Sequence, residues 1–566
     1  MKSNRIAKPL AVCISFILSG QVYALGVGEV TVGNAIIGEK SPENTTIITQ
    51  NSDRAVIDWT NFGIAPGETV KFEQPNTNSA VLNRVHEQFE TYIQGNLLSN
   101  GQVFVVNPRG VTITDGAKID VGSLVLSSLN STNDNFMATP GGNIAFSGDA
   151  RGGLVVNLGK ITAKDNVVMM GAAVGNEGVI DSGNEVLLAA GDDMTLSVGD
   201  SGMSVKVDTA SWNNQDKRHA FSNIRLIPEA PYARYSVVNR NVINAGVVES
   251  NNGRIKLIGE SVEHLAGSLN SPNGTIDLNS GISTNIKSMI NAKDVVLNSE
   301  GSVVQSSNAG AEIIAKTITV GNEMTKGGDY YLENHFNKTD TLKGVVNSAS
   351  SGFVANADSG INSVKYRSGS RNPLLVKDIR AEQDITMKTF GKLNATALEA
   401  NGTINLAPVD NLVTEGSISG GNVYLASMSG DISTNGLSAR QKVIMSAGKS
   451  ITKTRSDASV NATNIKMTAK ENITLGELNF AEHAIVKAKE MTFERIQGSD
   501  NREIELLAED RVNIGERMIG GKAYFSGIFN GSLSLLPIPG KRTEILHISE
   551  KVSPSDDQGK IIFPKD

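Results

Sequence analysis

A four-residue pattern recurs through the C-terminal half of the chain and decides the fold. It begins at Asp384–Met387 (DITM) and returns at Thr403–Leu406 (TINL) and Asn422–Leu425 (NVYL). In each copy a polar residue precedes a β-branched residue, a second polar residue and an aliphatic residue. Further copies are Lys442–Met445, Asn464–Met467 and Glu503–Leu506, with a weaker one at Ile485. The second positions are 385, 404, 423, 443, 465, 485 and 504, so the period is about 20 residues.

The same period is present earlier in the chain. Ile255, Ile276 and Val295 are followed two positions later by Leu257, Leu278 and Leu297. The segment 157–161 (NLGKI) likewise returns as 176–180 (NEGVI). Apolar residues alternate within each copy, which is typical of a strand with one buried face. Gly, Asn, Ser and Asp fill the intervals and favour turns.

These features predict an all-β chain that winds as a right-handed parallel β-helix, a solenoid whose coils share one aliphatic core. Leucine-rich repeats would need a Leu-x-x-Leu-x-Leu pattern with helical backs, and propeller blades need about 40 residues each. Neither pattern is found. With 57 Gly, 27 aromatic residues and 39% hydrophobic residues, the composition suits a narrow core of small side chains. The net charge of −7 and the lack of a basic run argue against binding to nucleic acid.

The first 24 residues are predicted to be a signal peptide. Lys2, Arg5 and Lys8 precede the apolar run Leu10–Leu18, and Val22–Ala24 forms a cleavage site at Ala24. Cys13, the one cysteine, lies inside this run. The mature chain would therefore have no cysteine, which suits a protein that must cross a second membrane unfolded, because no premature disulfide can form.

The sequence that follows the predicted signal peptide is more distinctive than the repeats. It contains the segments 50–59 (QNSDRAVIDW), 67–76 (GETVKFEQPN) and 93–111 (IQGNLLSNGQVFVVNPRGV). This part of the chain, residues 25–200, resembles the haemagglutination-activity domain that begins two-partner secretion exoproteins of the filamentous haemagglutinin family. The resemblance implies a β-helix with an N-terminal cap, which a dedicated outer-membrane pore recognises from the periplasm. Trp59 and Phe62 are expected in the core of the cap.

Two motifs of that family are candidates for the secretion signal. Asn-Pro-Asn-Gly-Ile stands here as Asn107, Pro108, Arg109, Gly110 and Val111, so its third and fifth positions differ. Pro108 fixes φ and Gly110 permits a positive φ, so a turn is expected. The turn either only builds the cap or also contacts the pore. For the second motif, Asn-Pro-Asn-Leu, the nearest candidate is Gln74, Pro75 and Asn76.

The domain organisation follows from where the period is kept and where it lapses. After the secretion domain (25–200), an excursion from the coils is expected at 201–245. Coils are expected at 246–535, with a second excursion near 325–375, and a cap or tail at 536–566. Tyr330 and Tyr331, with His335, are interpreted as part of an exposed loop in that second excursion.

No catalytic, cofactor or metal site is predicted. The six histidines are scattered, and the turn containing Asp192 and Asp193 is interpreted as solvated. We therefore expect a non-enzymatic exoprotein, secreted through the periplasm or held at the bacterial surface, that acts as an adhesin on a host-cell protein or glycan. The alternatives are a scavenger of haem or of a haem carrier protein, an exported toxin and a polysaccharide-acting β-helix enzyme.

Overall fold

The computed structural model describes residues 24–86, 89–138, 142–148, 153–199, 202–207, 241–250, 252–321, 328–344, 361–498, 503–519, 522–526 and 545–547. The predicted signal peptide up to residue 23 lies outside these residues. So do positions 208–240 of the first predicted excursion and most of the segment 536–566. None of the helices in the described part is both long and apolar enough to cross a membrane.

The described residues are almost entirely β-structure and divide into two compact units. Among the described residues, the first unit contains those up to 179 and those within 188–241, and the second contains residues 180–187 and those from 242 onward. Parallel pairing between successive coils dominates both units, so the predicted all-β solenoid is confirmed.

The elements up to residue 207 are β1 Gly28–Val32, β2 Ala35–Ile37, β3 Thr45–Gln50, β4 Arg54–Trp59, β5 Thr69–Glu73, β6 Ala80–Val85, β7 Thr91–Ile93, β8 Asn96–Ser99, β9 Gln102–Val106, β10 Gly110–Ile113, β11 Lys118–Val121, β12 Ser123–Ser127, α1 Asn133–Met137, β13 Asn143–Ser147, β14 Leu154–Asn157, β15 Lys160–Ala163, β16 Val167–Gly171, β17 Ala173–Asn176, β18 Val179–Ser182, β19 Val186–Ala190, β20 Asp193–Gly199 and β21 Gly202–Val207.

Three columns of parallel strands form the coils of the first unit. They run β3–β5–β8–β11–β15, β4–β6–β9–β12–β16 and β7–β10–β14–β17. In the second column Val81, Val103, Leu124 and Val167 occupy equivalent positions of successive strands and are all buried. Strands β1 and β2 instead pair antiparallel with β4 and β3, and so cap the N-terminal end. Trp59 (1% exposed) and Phe62 (0%) lie in the core of this end, as expected.

An excursion that the sequence did not reveal leaves the coils between β12 and β14. Helix α1 lies in it, and Phe136 of this helix packs edge-on against Phe104 of β9 with ring centroids 5.1 Å apart. The Arg54 guanidinium lies 5.4 Å from the Phe136 ring and donates to the carbonyl oxygen of Ala138 at 3.0 Å. Strand β13 pairs antiparallel with β20, which pairs with β21, so a separate three-stranded sheet forms.

The elements from residue 241 onward are β22 Asn241–Asn244, β23 Val247–Ser250, β24 Arg254–His264, β25 Ser268–Ile286, β26 Met289–Ser299, β27 Ser302–Gln305, β28 Ile313–Val320, β29 Gly328–Leu332, β30 Lys338–Gly344, β31 Ile361–Ser368, β32 Leu374–Ala381, β33 Ile385–Thr389, β34 Leu393–Ala400, β35 Thr403–Pro408, β36 Leu412–Thr414, β37 Ile418–Ser427, β38 Ile432–Thr434, β39 Leu437–Ala447, β40 Ile451–Lys453, β41 Ser459–Ala469, β42 Asn472–Gly498, β43 Glu503–Ile519, β44 Lys522–Ser526 and β45 Ile545–His547.

The repeat positions of the sequence are the register positions of the second unit. Ile385, Ile404, Val423, Val443 and Ile465 pair in succession down one column. The block Ile255, Ile276 and Val295 pairs in the same way. It belongs to a different column, which continues through Ile318 and Leu342.

One repeat position was wrong by a single residue. Ile465 pairs with Ala484, whereas Ile485 pairs with Lys466 and points away from the core. Because side chains alternate along a strand, a shift of one residue exchanges the buried and outer faces. Ala484 and Val486 are therefore the core residues of this coil, and both are buried.

The second excursion, predicted near 325–375, was wrong for residues 328–344 and 361–375, the part of this range that the structure describes. Residues 328–332, 338–344 and 361–368 form β29, β30 and β31, which pair parallel with the coils on either side. Tyr330 is not in an exposed loop. It is fully buried in β29 with its hydroxyl 3.2 Å from the Ser299 amide nitrogen, and burial raises its pKa to about 12.

Candidate recognition site

The predicted turn at Asn107–Gly110 is confirmed and connects β9 to β10. The Gly110 amide donates to the Asn107 carbonyl oxygen at 2.9 Å, which closes the turn over Pro108 and Arg109. Gly110 has φ +122°, and a Cβ atom there would lie 2.8 Å from the Leu154 carbonyl oxygen. Both the backbone conformation and the close approach of β14 therefore require glycine.

Asn107 is the buried centre of this turn. Its amide group donates to the Phe89 carbonyl oxygen at 2.9 Å and to the Thr91 hydroxyl at 3.0 Å. Its side-chain oxygen accepts from the Arg109 amide at 2.9 Å. The side chain is 0% exposed, so these bonds fix the turn to the preceding coil. An asparagine at the end of a strand thus satisfies polar groups that the sheet leaves unpaired.

The outer side of the turn is exposed. Pro108 and Arg109 face solvent, while Asn107 and Gly110 are buried beneath them. Gly153 covers the inner side, since its amide donates to the Pro108 carbonyl oxygen at 2.8 Å. Phe89, whose carbonyl oxygen Asn107 binds, is 60% exposed. The turn therefore exposes a cation and a proline ring on a rigid support, and the exposed Phe89 belongs to the segment that Asn107 binds.

Glu90 lies beside the turn and was not predicted from the sequence. Its carboxylate accepts hydrogen bonds from the Thr112 hydroxyl and, at 3.0 Å, from the Tyr92 hydroxyl. A Cβ atom on Gly110 would lie 3.3 Å from the Glu90 Cγ atom. Burial raises the pKa of Glu90, and these two hydrogen bonds oppose the shift only in part.

Replacing Glu90 with glutamine is expected to stabilise the first unit at neutral pH. A carboxyl group whose pKa is raised in the folded state favours folding most at a pH below its pKa in the unfolded chain. This contribution to the free energy of unfolding is lost as the pH rises through the pKa in the folded state. Glutamine is neutral throughout, so the variant should be more stable than the parent at pH 7.5, and the difference should shrink as the pH falls to 4. Urea unfolding followed by Trp59 fluorescence, with Trp212 replaced by Phe in both chains, measures this difference. An equal effect at both pH values would contradict the assignment.

Gln74 of the second motif is a structural residue. It is 7% exposed, its amide donates to the Gln50 side chain and to the Ser79 carbonyl oxygen at 3.0 Å each, and it accepts from the Ser99 hydroxyl at 2.6 Å. Pro75 and Asn76 follow it in an exposed turn, where Asn76 accepts from the Asn78 amide at 2.9 Å.

The structure does not bring the two motifs together. The Gln74 amide reaches the Gln102 carbonyl oxygen at 3.4 Å, at the first residue of β9, whereas Asn107 follows its last residue. Five residues of strand separate the two ends by about 17 Å. Val111 is buried in β10 and faces the core. Recognition of both motifs would therefore involve two separate corners of the coil.

Other titratable groups in the described residues do not form a metal centre. No group of three or more His, Cys, Asp or Glu side chains there has the arrangement that a metal ion needs. Asp192, expected in a solvated turn, is 8% exposed, so that part of the interpretation was wrong. His264 is fully buried between the Asn244 side chain and the Met289 carbonyl oxygen, and burial lowers its pKa.

Comparison with known proteins places the first part of the chain. A family model described as the TPS secretion domain matches residues 28–255. A heme/hemopexin-binding protein of Haemophilus influenzae strain Rd is 34% identical over 172 residues, which are 29% of this chain and 19% of the relative. Another heme/hemopexin-binding protein of Haemophilus influenzae is 43% identical over 98 residues, which are 17% and 11% of the two chains.

This chain thus spans about a fifth or less of the length of these relatives. The crystal structure of the HMW1 secretion domain from Haemophilus influenzae aligns with a TM-score of 0.41 at 22% identity, over 77% of this chain and 98% of that one. The family match covers the capped coils that hold Asn107–Gly110. Residues 28–255 therefore carry a TPS secretion domain, as the resemblance of this segment to two-partner secretion exoproteins predicted.

Proposed function

We propose that a dedicated outer-membrane pore recognises residues 28–255 in the periplasm and exports the chain to the cell surface or the medium. The observation that supports this proposal is the secretion-domain match over the capped first unit. An exported chain with its sole cysteine at position 13 has no thiol left once the predicted signal peptide is removed. It can therefore cross the pore as an extended chain without a disulfide to hinder it.

The exposed side of the Asn107–Gly110 turn is the proposed contact with the pore. Asn107 and Gly110 are buried and hold the turn in one conformation, whereas Pro108 and Arg109 of the turn and the neighbouring Phe89 are exposed. Arginine and aromatic side chains are enriched where proteins bind one another, and a rigid support lowers the entropy lost on binding. The buried residues are thus needed for shape, and the exposed ones for recognition.

Export is proposed to be driven by folding of the coils outside the cell. The cap of β1 and β2 and the first coils fold first and provide a template. Each later coil then adds backbone hydrogen bonds and buried apolar area to the template. Backward movement would require a finished coil to unfold, so the chain advances without a nucleotide triphosphate.

Export with and without the pore tests the recognition surface. We expect Arg109→Ala combined with Phe89→Ser to lower the secreted fraction at least tenfold when the chain is produced with its pore, because the proposed contact then lacks the cation of the turn and the exposed ring of the neighbouring segment. Ile36→Ser, which alters an exposed apolar residue of the same unit (62% exposed), is the matched control. Secretion that is unchanged in the double variant, or that needs no pore, would contradict the proposal.

For the exported product we propose a non-enzymatic binding role as an adhesin. A second candidate is binding of haem or of a haem carrier protein, which the names of the two Haemophilus relatives favour. The two roles differ in a direct measurement. Attachment of the purified chain to host cells that haem and hemopexin do not inhibit would favour adhesion. Saturable binding of either compound would favour the second role.

A further inference from the structure

One corner of the coils in the second unit carries a line of exposed apolar side chains. Phe336, Phe390 and Met428 are 49%, 41% and 74% exposed. Backbone hydrogen bonds place them in one column. The Gly369 amide donates to the His335 carbonyl oxygen at 2.6 Å, and the amides of Phe390, Val409 and Met428 donate to Ser368, Thr389 and Pro408 at 3.0, 2.9 and 3.3 Å.

Phe336, Gly369, Phe390, Val409 and Met428 therefore occupy one position of five successive coils. Neighbouring strands are about 4.8 Å apart, so the line, here called the apolar corner, is about 19 Å long. Val409 is half-buried, which leaves its outer side in contact with solvent. At Gly369 the His335 ring covers the α-carbon, since a Cβ atom there would lie 2.2 Å from that ring.

Cations flank the apolar corner on both sides. Arg367 and Arg371 stand two positions before and after Gly369, and Lys388 and Lys392 stand two positions before and after Phe390. Arg367 is the register partner of Lys388, and the Arg371 guanidinium lies 5.5 Å from the Phe390 ring. These four cations are called the basic flanks.

Within the part of the chain that the structure describes, no acidic side chain neutralises the basic flanks. Residues 361–392 contain seven Lys and Arg against three Asp and Glu, a balance of +4 in a chain whose total is −7. Of these seven, Lys377 and Arg380 pair with Asp378 and Glu399. Among the described residues, the four cations of the basic flanks form no ion pair. Two exposed carboxylates lie close by: Glu333 precedes Phe336 by three residues at one end, and Asp410 directly follows Val409.

We propose that the apolar corner and its basic flanks bind a lipid surface that carries anionic headgroups. Exposed Phe and Met side chains gain free energy by entering the boundary of the acyl chains, and Lys and Arg beside them bind anionic headgroups. The long aliphatic stems of these cations allow the charged groups to reach the headgroups while the Phe rings insert into the boundary of the acyl chains. A hydrated anionic polysaccharide would use the basic flanks but would leave Met428 without an apolar partner.

This proposal goes beyond the proposed export function, in which the pore contacts the Asn107–Gly110 turn and not these residues. It assigns to the exported chain a contact that retains it at a membrane. The contact is electrostatic and shallow, so it is reversible and sensitive to salt, because mobile ions screen charges that lie near the surface.

Vesicle binding tests the proposal with the purified mature chain. We expect it to float with phosphatidylcholine vesicles that contain phosphatidylglycerol, to bind vesicles of pure phosphatidylcholine at least tenfold more weakly, and to dissociate at high salt. Each cation near an anionic surface contributes about a fivefold factor in affinity. Lys388→Gln combined with Lys392→Gln should therefore weaken binding about 25-fold.

Two further variants separate the apolar corner from a general effect of exposed apolar residues. Phe390→Ser should weaken vesicle binding, whereas Ile282→Ser should not, although Ile282 is 42% exposed and Phe390 41%. Equal binding to neutral vesicles, or equal loss in both variants, would overturn the proposal. So would binding to soluble heparin without binding to vesicles, which would identify a glycan as the occupant. Secretion of all variants, measured in parallel, shows whether any failure lies in export instead.

Discussion

Gly110→Pro and Asn107→Ala are each expected to leave the precursor in the periplasm. Proline cannot adopt the φ of +122° that Gly110 has and removes the amide that closes the turn on Asn107. Alanine at 107 leaves the Phe89 carbonyl oxygen and the Arg109 amide without their partner. We expect a cost of about 3 kcal/mol or more for either variant. Immunoblots of periplasm and medium measure the distribution of the chain.

Gly116→Ala is the control for these two variants. Gly116 also has a positive φ, +85°, but a Cβ atom there would have no neighbour within 4 Å. The Gly116→Ala variant therefore introduces the strain of a left-handed backbone without the loss of the Asn107–Gly110 turn. Normal export of Gly110→Pro and Asn107→Ala, with correctly folded coils in the medium, would contradict the role of this turn. Loss of export in the Gly116 variant as well would show that export responds to any strain in the unit.

The coils could be predicted because the same packing requirement recurs in every coil. Each strand must present a β-branched or aliphatic residue to the same core, so positions such as Ile404 and Val423 recur at nearly constant spacing. Where a coil uses a small residue the pattern weakens. Ala484 is small and weakly hydrophobic, so the sequence pattern fits the neighbouring Ile485 better, although Ile485 faces outward.

The excursion that carries α1 could not be predicted because it is held by contacts distant in sequence. The five residues of α1 contain one buried apolar side chain, Phe136, so their sequence shows no helical period of apolar residues. The helix is positioned by Phe104 and Arg54, which lie in strands of two different coils. Length alone indicates the insertion, since Leu124 and its partner Val167 are 43 residues apart, about twice the period.

The turn at the candidate site could be predicted from the sequence, whereas the residues that surround the turn could not. Asn-Pro-x-Gly specifies local backbone geometry, so the conformation at Gly110 follows from residue types. Glu90 and Phe89 reach the turn only because the coil below aligns β7 with β10. A motif search along the sequence cannot find residues that are assembled through register.

Gln74→Ala should destabilise the first unit by about 3 kcal/mol and lower export in proportion, while Pro75→Ala and Asn76→Ala should change neither measurably. The alanine variant removes a buried amide that joins three successive coils through Gln50 and Ser99, and it leaves the Ser99 hydroxyl and the Ser79 carbonyl oxygen without that partner. Pro75 and Asn76 are exposed, so their side chains contribute little to the fold. Urea unfolding and the secreted fraction, measured on the same four chains, test this expectation.

The comparison decides what the second motif does. If export follows stability across the four chains, the motif acts through the fold, and the pore contacts only the turn at Asn107–Gly110. If Asn76→Ala blocks export while its free energy of unfolding is unchanged, the pore contacts this corner directly. Since the two corners lie at opposite ends of β9, that second result would require a pore surface wide enough to reach both, about 17 Å apart.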